Sequence, residues 1–365
     1  MIEQHFGDRE PLSLGVEEEL MILDADTLDQ VAAVDKIVAG IEPLDVPGIV
    51  KTELFASVFE INTAPVETAG EAGDALAALR RASAEVAEPH GLTIAAAATH
   101  PFARPEAQPI VKEERYVTFV GYGGISVRRQ GVQGLHVHIG MPAADECWRV
   151  LEAMLPWLPV VLALSANSPW YAGELTGMAS NRAPVLGELP RAGAPPAFGS
   201  YGEWEAWVER LGRAGILQDY TRIWWDVRPH PKLGTLEVRI PDQPTDVRLS
   251  AAFAALLQAF AATALGDRQP PAPAEPGRRG DYAQNRWAAA RFGPKAELVH
   301  PDGDRAATAT ELGRELLELV APAARALGSD ELLALIDPAA CEADLQAQAD
   351  TPREAAADLV DRTLG

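Results

Sequence analysis

Three short segments set polar side chains two residues apart, the spacing that points both to one side of an extended chain. In LGVEEELMILD the pair is Glu17 and Glu19, with Glu18 turned the other way. Convergent carboxylates repel unless protons, basic groups or a metal compensate them. Magnesium is a natural compensator, since it takes oxygen ligands and shares substrate phosphates. A solvated strand face accounts for EEE alone equally well. In GLHVHIG, His136 and His138 share a side, opposite Val137 and Ile139. One imidazole can bind a metal and the other can donate to a phosphate oxygen, unless core or loop hydrogen bonds satisfy both. In GTLEVRIPD, Glu237 and Arg239 suit a cation and a phosphate respectively, or an ordinary cross-strand ion pair.

Other polar residues have less telling positions. KTELFASVFEINT carries Glu53 and Glu60, whose odd separation cannot place both on one face of an uninterrupted strand. A bulge or turn is needed for both to reach one site. In WWDVRPH, Arg228 and His230 share a side, and Arg228 can meet phosphate or a carboxylate. Trp224 and Trp225 read as core. Arg182 follows a flexible polar passage, and Asn285 and Arg286 lie beyond a proline-rich run. His100 either orients a turn or touches substrate. No GxxxxGK[ST] loop, HExxH helix, GxSxG elbow or kinase motif set is present, and GYGG at 121–124 is a glycine-bearing turn.

These residues need strands to position them. Residues 12–23, 49–63, 92–98, 135–141 and 235–241 have extended character. Helices are expected at 67–88, 145–164 with Pro156 and Pro159 limiting or kinking it, 204–211, 249–265, 306–327, 330–336 and 351–364, while 281–291 carries aromatic and basic residues. Residues 165–200 read as substrate-facing or structural loops. The sharpest composition break, RQPPAPAEPGRRG at 268–280, reads as an exposed loop or hinge within one domain spanning 1–365.

The chain of 365 residues is long enough for a large core, and its formal charge of −22 argues against non-specific nucleic-acid binding. No apolar stretch reads as long enough to span a bilayer, and no basic, apolar leader opens the chain. A cytoplasmic protein without a membrane partner is the expectation. Two cysteines, Cys147 and Cys341, are too few for a disulfide framework or thiolate cage.

In order, LGVEEELMILD, KTELFASVFEINT, ATHPFA, GLHVHIG, ALSANSPWYAGELTGMASNR, IWWDVRPHPKLGTLEVRIPD and NRWAAARFG resemble the bacterial carboxylate–amine ligase family, usually described as glutamate–cysteine ligase-like. The resemblance spans roughly residues 12–293, and GVEEE, HVH and GTLEVR in sequence are its most specific part. It implies an α+β, glutamine-synthetase-like fold whose antiparallel sheet, flanked by helices, forms a cleft for ATP and divalent cations, Mg2+ or Mn2+. It implies that Glu17, Glu19, Glu53, Glu60, His136 and Glu237 bind metal, and that His138 and Arg239 contact phosphate. Arg228 is implied as a further anion contact, with catalytic roles for Glu53, Arg239 and Arg228. Arg182, Asn285 and Arg286 are carried over as amine-substrate candidates. The implied reaction activates a carboxylate, glutamate foremost, as an acyl phosphate, which cysteine or another small amine then attacks. A phosphotransferase on a guanidino or amino group and an inactive nucleotide-binding module stay open as alternatives. The resemblance also leaves room for self-association.

Overall fold

A computed structural model describes residues 2–266 and 276–364. Its centre is a seven-stranded sheet whose named ladders are all antiparallel. The strands are β1 (Leu14–Asp24), β2 (Gly48–Thr52), β3 (Val58–Thr63), β4 (Leu92–Ala95), β5 (Leu135–Gly140), β6 (Val227–His230) and β7 (Thr235–Val238). Their order is β6–β7–β5–β1–β3–β2, and β4 takes the edge of β1 that β5 leaves free. β2 and β3 form a hairpin whose connection, residues 53–57, supplies the turn that Glu53 and Glu60 require.

The two faces of the sheet differ in chemistry because side chains alternate. Val16, Leu20, Ile22, Phe59, Ile61, Val137, Ile139, Leu236 and Val238 are all buried on the face that helices cover. The cover comes from α1 (Ala69–Ala87), α2 (Ala144–Met154) and α3 (Val247–Gly266). The start of α1 is fixed by a capping box in which Thr68 accepts from the Glu71 N–H and Glu71 accepts from the Thr68 N–H. After α2 the chain passes through a 3-10 turn, Leu155–Trp157, into the helix Leu158–Ser165, so Pro156 and Pro159 do break the apolar run.

Glu18, the one carboxylate of EEE on the helical face, is fully buried. Arg80 of α1 meets it with a two-pronged pair, Nε–Oε2 2.7 Å and Nη2–Oε1 2.7 Å. The remaining Arg80 donors go to the carbonyls of Pro244, Thr245 and Thr363. One buried cation thus ties β1 to the C-terminal helix α4 (Pro352–Thr363).

Some expectations need correction. Ala144–Ser165 and Val247–Gly266 are long and apolar enough to cross a membrane by length and composition, and 72% of each window is buried inside the protein. α3 is apolar because α1 and other helices surround it. Residues 114–123 form a helix, α5 (Glu114–Gly123), so GYGG is a helix end and not an isolated turn. The loop expected at 268–280 lies partly outside the described residues, and its last residues are helical. They lie in helix α6 (Pro276–Phe292).

Candidate active site

Residues paired across antiparallel strands share a face, and the register collects the polar ones on the side opposite α1–α3. Lys51, Glu60 and Glu19 form one row across β2, β3 and β1. Asn62, Glu17 and His136 form the next. Gly15, His138, Glu237 and Arg228 form a third, running out to β6. Arg239 continues the parity of Glu237 just beyond the end of β7.

Glu17 sits between the histidines, with Oε2 3.3 Å from His136 Nδ1 and Oε1 3.5 Å from His138 Nε2. Burial opposes its charge, but the hydrogen bonds with His136 and His138 outweigh burial and hold the carboxyl well below the usual range. His138 is raised, because Glu17 overcomes the effect of burial, and its Nδ1 lies 3.0 Å from Thr235 Oγ1. His136 is pushed down to about 3 by burial and by Arg239, which makes it a neutral imidazole.

Glu237 takes two guanidinium groups. Arg228 binds it through Nε at 2.5 Å and Nη2 at 3.1 Å, and Arg239 Nη1 reaches Oε1. Despite burial, Arg228 and Arg239 hold Glu237 well below the carboxylate range. Arg228 gives its remaining Nη1 to the carbonyls of Thr221 and Ile223. In this arrangement Arg228 fixes Glu237 and the 221–223 turn. Arg239 differs, since its buried Nε has no hydrogen-bond partner.

The uncompensated charge gathers elsewhere. Glu19, Glu53 and Glu60 each bring an oxygen to within 4.8 Å of the others. Burial, then the neighbouring Glu60, raises Glu19 to about 7. Burial, then Glu19 and Glu60, raises Glu53 to about 8. Lys51 lies 2.8 Å from Glu60 and neutralises part of the excess. A hard divalent cation with oxygen ligands fits this donor set, and Glu19 and Glu53 share a cavity with Arg239. That cavity, about 90 Å3, is lined by Glu19, Glu53, His136, Arg182 and Arg239 together with Phe119 and Trp224.

Arg182 is buried and spans the roof, donating to the Arg239 carbonyl at 2.8 Å and the Ile240 carbonyl at 3.0 Å. Beneath it Gly134 is a close approach. Its N–H donates to Glu19 Oε2 at 2.7 Å, and a Cβ there would stand 2.1 Å from Arg182 Nη2. Asn285 and Arg286 are not brought into the cavity. Asn285 exchanges hydrogen bonds with the backbone of Val299, and Arg286 pairs with buried Asp226 at 2.7 Å. His100 is a turn residue. Its Nδ1 accepts from the Phe102 and Ala103 N–H groups and its Nε2 donates to the Leu28 carbonyl. Sequence reasoning missed Lys51, Gln133 and Phe119, and it read Trp224 as core although that ring lines the cavity. Lys51 was within reach of the period-two argument; Phe119 carried no such signal.

Comparison with known proteins identifies the family and the fold. The family model described as glutamate–cysteine ligase family 2 matches residues 13–347. A Rubrobacter xylanophilus protein, provisionally named glutamate–cysteine ligase 2-3, is 38% identical over 97% of this chain and 92% of its own. A second from that organism, provisionally named 2-1, is 39% identical over 88% of this chain and 85% of its own. Among solved structures, a Francisella tularensis glutamate–cysteine ligase crystallised with AMP superposes with a TM-score of 0.70 at 16% identity, over 98% of this chain and 89% of the other. A bifunctional glutathione synthetase from Pasteurella multocida gives 0.69 at 16% identity, over 97% of this chain and 52% of the other. Sheet, cleft and family together define an ATP-dependent carboxylate–amine ligase with a glutamine-synthetase-like fold. The chain belongs to glutamate–cysteine ligase family 2.

Proposed function

We propose that the enzyme joins glutamate to cysteine or another small amine through an acyl phosphate, with magnesium (or manganese) bound in the sheet cleft. The observation that carries this reading is a cluster of three mutually repelling carboxylates, Glu19, Glu53 and Glu60, at a cavity that Glu19 and Glu53 line together with Arg239. A divalent cation held by those carboxylates, with Glu17, His136 and Glu237 close by, would neutralise the phosphates of bound ATP.

The chain's own residues do the rest. Arg239, anchored by Glu237, lines the cavity, where its guanidinium would stabilise charge on the transferring phosphoryl group. His138, held by Glu17 and Thr235, is placed to donate to a phosphate oxygen. Arg228 serves the reaction by keeping Glu237 ionised and fixed. Substrate glutamate attacks the γ-phosphorus of ATP, releasing ADP and forming the mixed anhydride. The amine then attacks the activated carbonyl and expels phosphate. No enzyme nucleophile is consumed, in keeping with two buried cysteines whose thiols burial pushes upward. The reaction belongs in the cytoplasm, where ATP and amino acids are supplied together.

The test is product-resolved turnover of ATP with magnesium, glutamate and a panel of amines that includes cysteine and hydroxylamine. ADP and phosphate appearing with a new amide or hydroxamate support the reading. A phosphorylated amine without amide would instead identify a phosphotransferase.

A further inference from the structure

Next to the carboxylate cavity lies a second hollow of about 170 Å3, and Phe119 and Trp224 line both. The two rings stack with centroids 4.9 Å apart and planes 20° apart. The guanidinium of Arg191 packs against Trp224 at 5.7 Å, and that of Arg222 against Phe119 at 5.4 Å. The wall is therefore a run of cation, ring, ring and cation. Each ring already has a ring partner and a guanidinium against it. That suits an anion received by arginine N–H groups better than a stacked base.

The charge balance points the same way. No carboxylate lines the hollow, although the chain carries a formal charge of −22. Among the described residues, Arg222 has no ion pair and its guanidinium donates no hydrogen bond. Arg191 spends its Nε on the Arg222 carbonyl at 3.1 Å, and its Nη1 lies 3.5 Å from the Tyr122 hydroxyl. The loop that carries Arg191 is pinned in place. Ala192 and Gly193 pair in parallel with Trp224 and Trp225, and the Trp224 N–H donates to the Arg191 carbonyl at 3.0 Å. Arg191 itself sits at φ +61, a left-handed conformation that a branched or long side chain rarely adopts. An aromatic-backed pair of guanidiniums thus stands at the border of the carboxylate cavity, Arg191 on its pinned loop and Arg222 against the Phe119 ring.

We propose that this hollow is a second anion site, separate from the Arg239 region of the sheet, in which Arg191 and Arg222 hold an anionic oxygen group of a substrate. Its reacting end lies across the Phe119–Trp224 wall. The proposal rests on the ligase reading above. The shared chemistry is a carboxylate or a phosphate, and its source is either a substrate carboxylate or the nucleotide.

Arg222→Ala and Arg222→Lys variants of the full chain, assayed with carboxylate-bearing amines, hydroxylamine and ATP, test it. A substrate-carboxylate source predicts that Arg222→Ala lowers kcat/KM for the carboxylate-bearing amine relative to hydroxylamine by roughly tenfold or more, with partial rescue in Arg222→Lys. A nucleotide source predicts a rise of similar size in the KM for ATP. The absence of both changes would overturn the proposal. Phenylglyoxal labelling of the unsubstituted protein, mapped by mass spectrometry, reads the site without turnover. Arg222 should be modified in the free protein and protected by glutarate, a carboxylate probe without an amine, or by ATP. Protection by neither also overturns the proposal. Failure of the ligase reading shows separately, as no hydroxamate from glutamate, ATP and hydroxylamine.

Discussion

Glu19 on β1 stands directly opposite Glu60 on β3, and Glu53 closes on both from the hairpin turn. Like charges directly opposite across a sheet weaken it, and burial aggravates the cost by raising Glu19 to about 7 and Glu53 to about 8. Replacing one carboxylate should therefore stabilise the metal-free protein while impairing cation binding. Glu60→Gln is expected to raise metal-free stability by about 1 kcal/mol at pH 8, to remove most of the stabilisation magnesium confers, and to cut turnover by roughly two orders of magnitude. Thermal melting with and without magnesium checks this. Equal magnesium-induced shifts in both proteins would contradict it.

The same raised carboxyls set a pH dependence. Their folded pKa values lie above the ordinary 4.5, so their contribution to stability is complete below that value and is lost as pH rises through 7 to 8. Metal-free protein should lose melting temperature as pH rises from about 4.5 to about 8, and magnesium should flatten the slope because it replaces the protons. Calorimetric titration in buffers of different ionisation enthalpy should detect proton release on magnesium binding. Binding without proton release would count against the cluster.

His100 predicts the opposite sign at acid pH. Burial pushes its imidazole down to about 4 from 6.5, and two backbone N–H groups bond to its unprotonated nitrogen. Its contribution is present above pH 6.5 and is lost as pH falls toward 4, amounting to about 3 kcal/mol at most. Urea unfolding of the wild type should fall more steeply over that range than that of His100→Asn. Parallel curves would show that His100 carries no such linkage.

The Glu18–Arg80 pair lies on the helical face and should affect folding without touching magnesium. Removing Arg80 alone, as Arg80→Met, leaves a buried carboxylate unpaired and should cost about 3–5 kcal/mol. The double variant Glu18→Leu with Arg80→Met should recover part of that loss. The recovery is partial because three backbone carbonyls lose their donor. A single variant as stable as the wild type would show that the pair contributes little.

Gly134→Ala tests the roof of the cavity. A Cβ there meets an Arg182 guanidinium that two backbone carbonyls hold in place, so the guanidinium must shift or the strand must bend. Turnover is expected to fall roughly tenfold or more, with a smaller change in melting temperature. Unchanged kinetics would remove Arg182 from the account.

How much of this was legible in the sequence follows from the range of each interaction. Period-two spacing placed Glu17, Glu19, His136, His138, Glu237 and Arg239 on one face, because a strand fixes that face locally. Glu53 needed a turn the sequence did not specify, and the family resemblance, not spacing, placed it in the site. Phe119, Arg191 and the Arg222–Trp224 segment lie far apart in the chain and are joined by tertiary packing and one short parallel pairing, so no local pattern announces them. Asn285 and Arg286 stand close to each other on α6 and both donate, yet they serve Val299 and Asp226. Their types suited a site, but only the packing of α6 determined where they point.

The central claim is that a carboxylate is activated by phosphorylation inside this cleft. Glutamate labelled with oxygen-18 in its side-chain carboxylate, incubated with enzyme, ATP, magnesium and an amine, tests it most directly by mass analysis of the released phosphate. The account predicts one labelled oxygen in each phosphate released, matched by amide formed. Phosphate free of label, alongside amide, would contradict activation through an acyl phosphate.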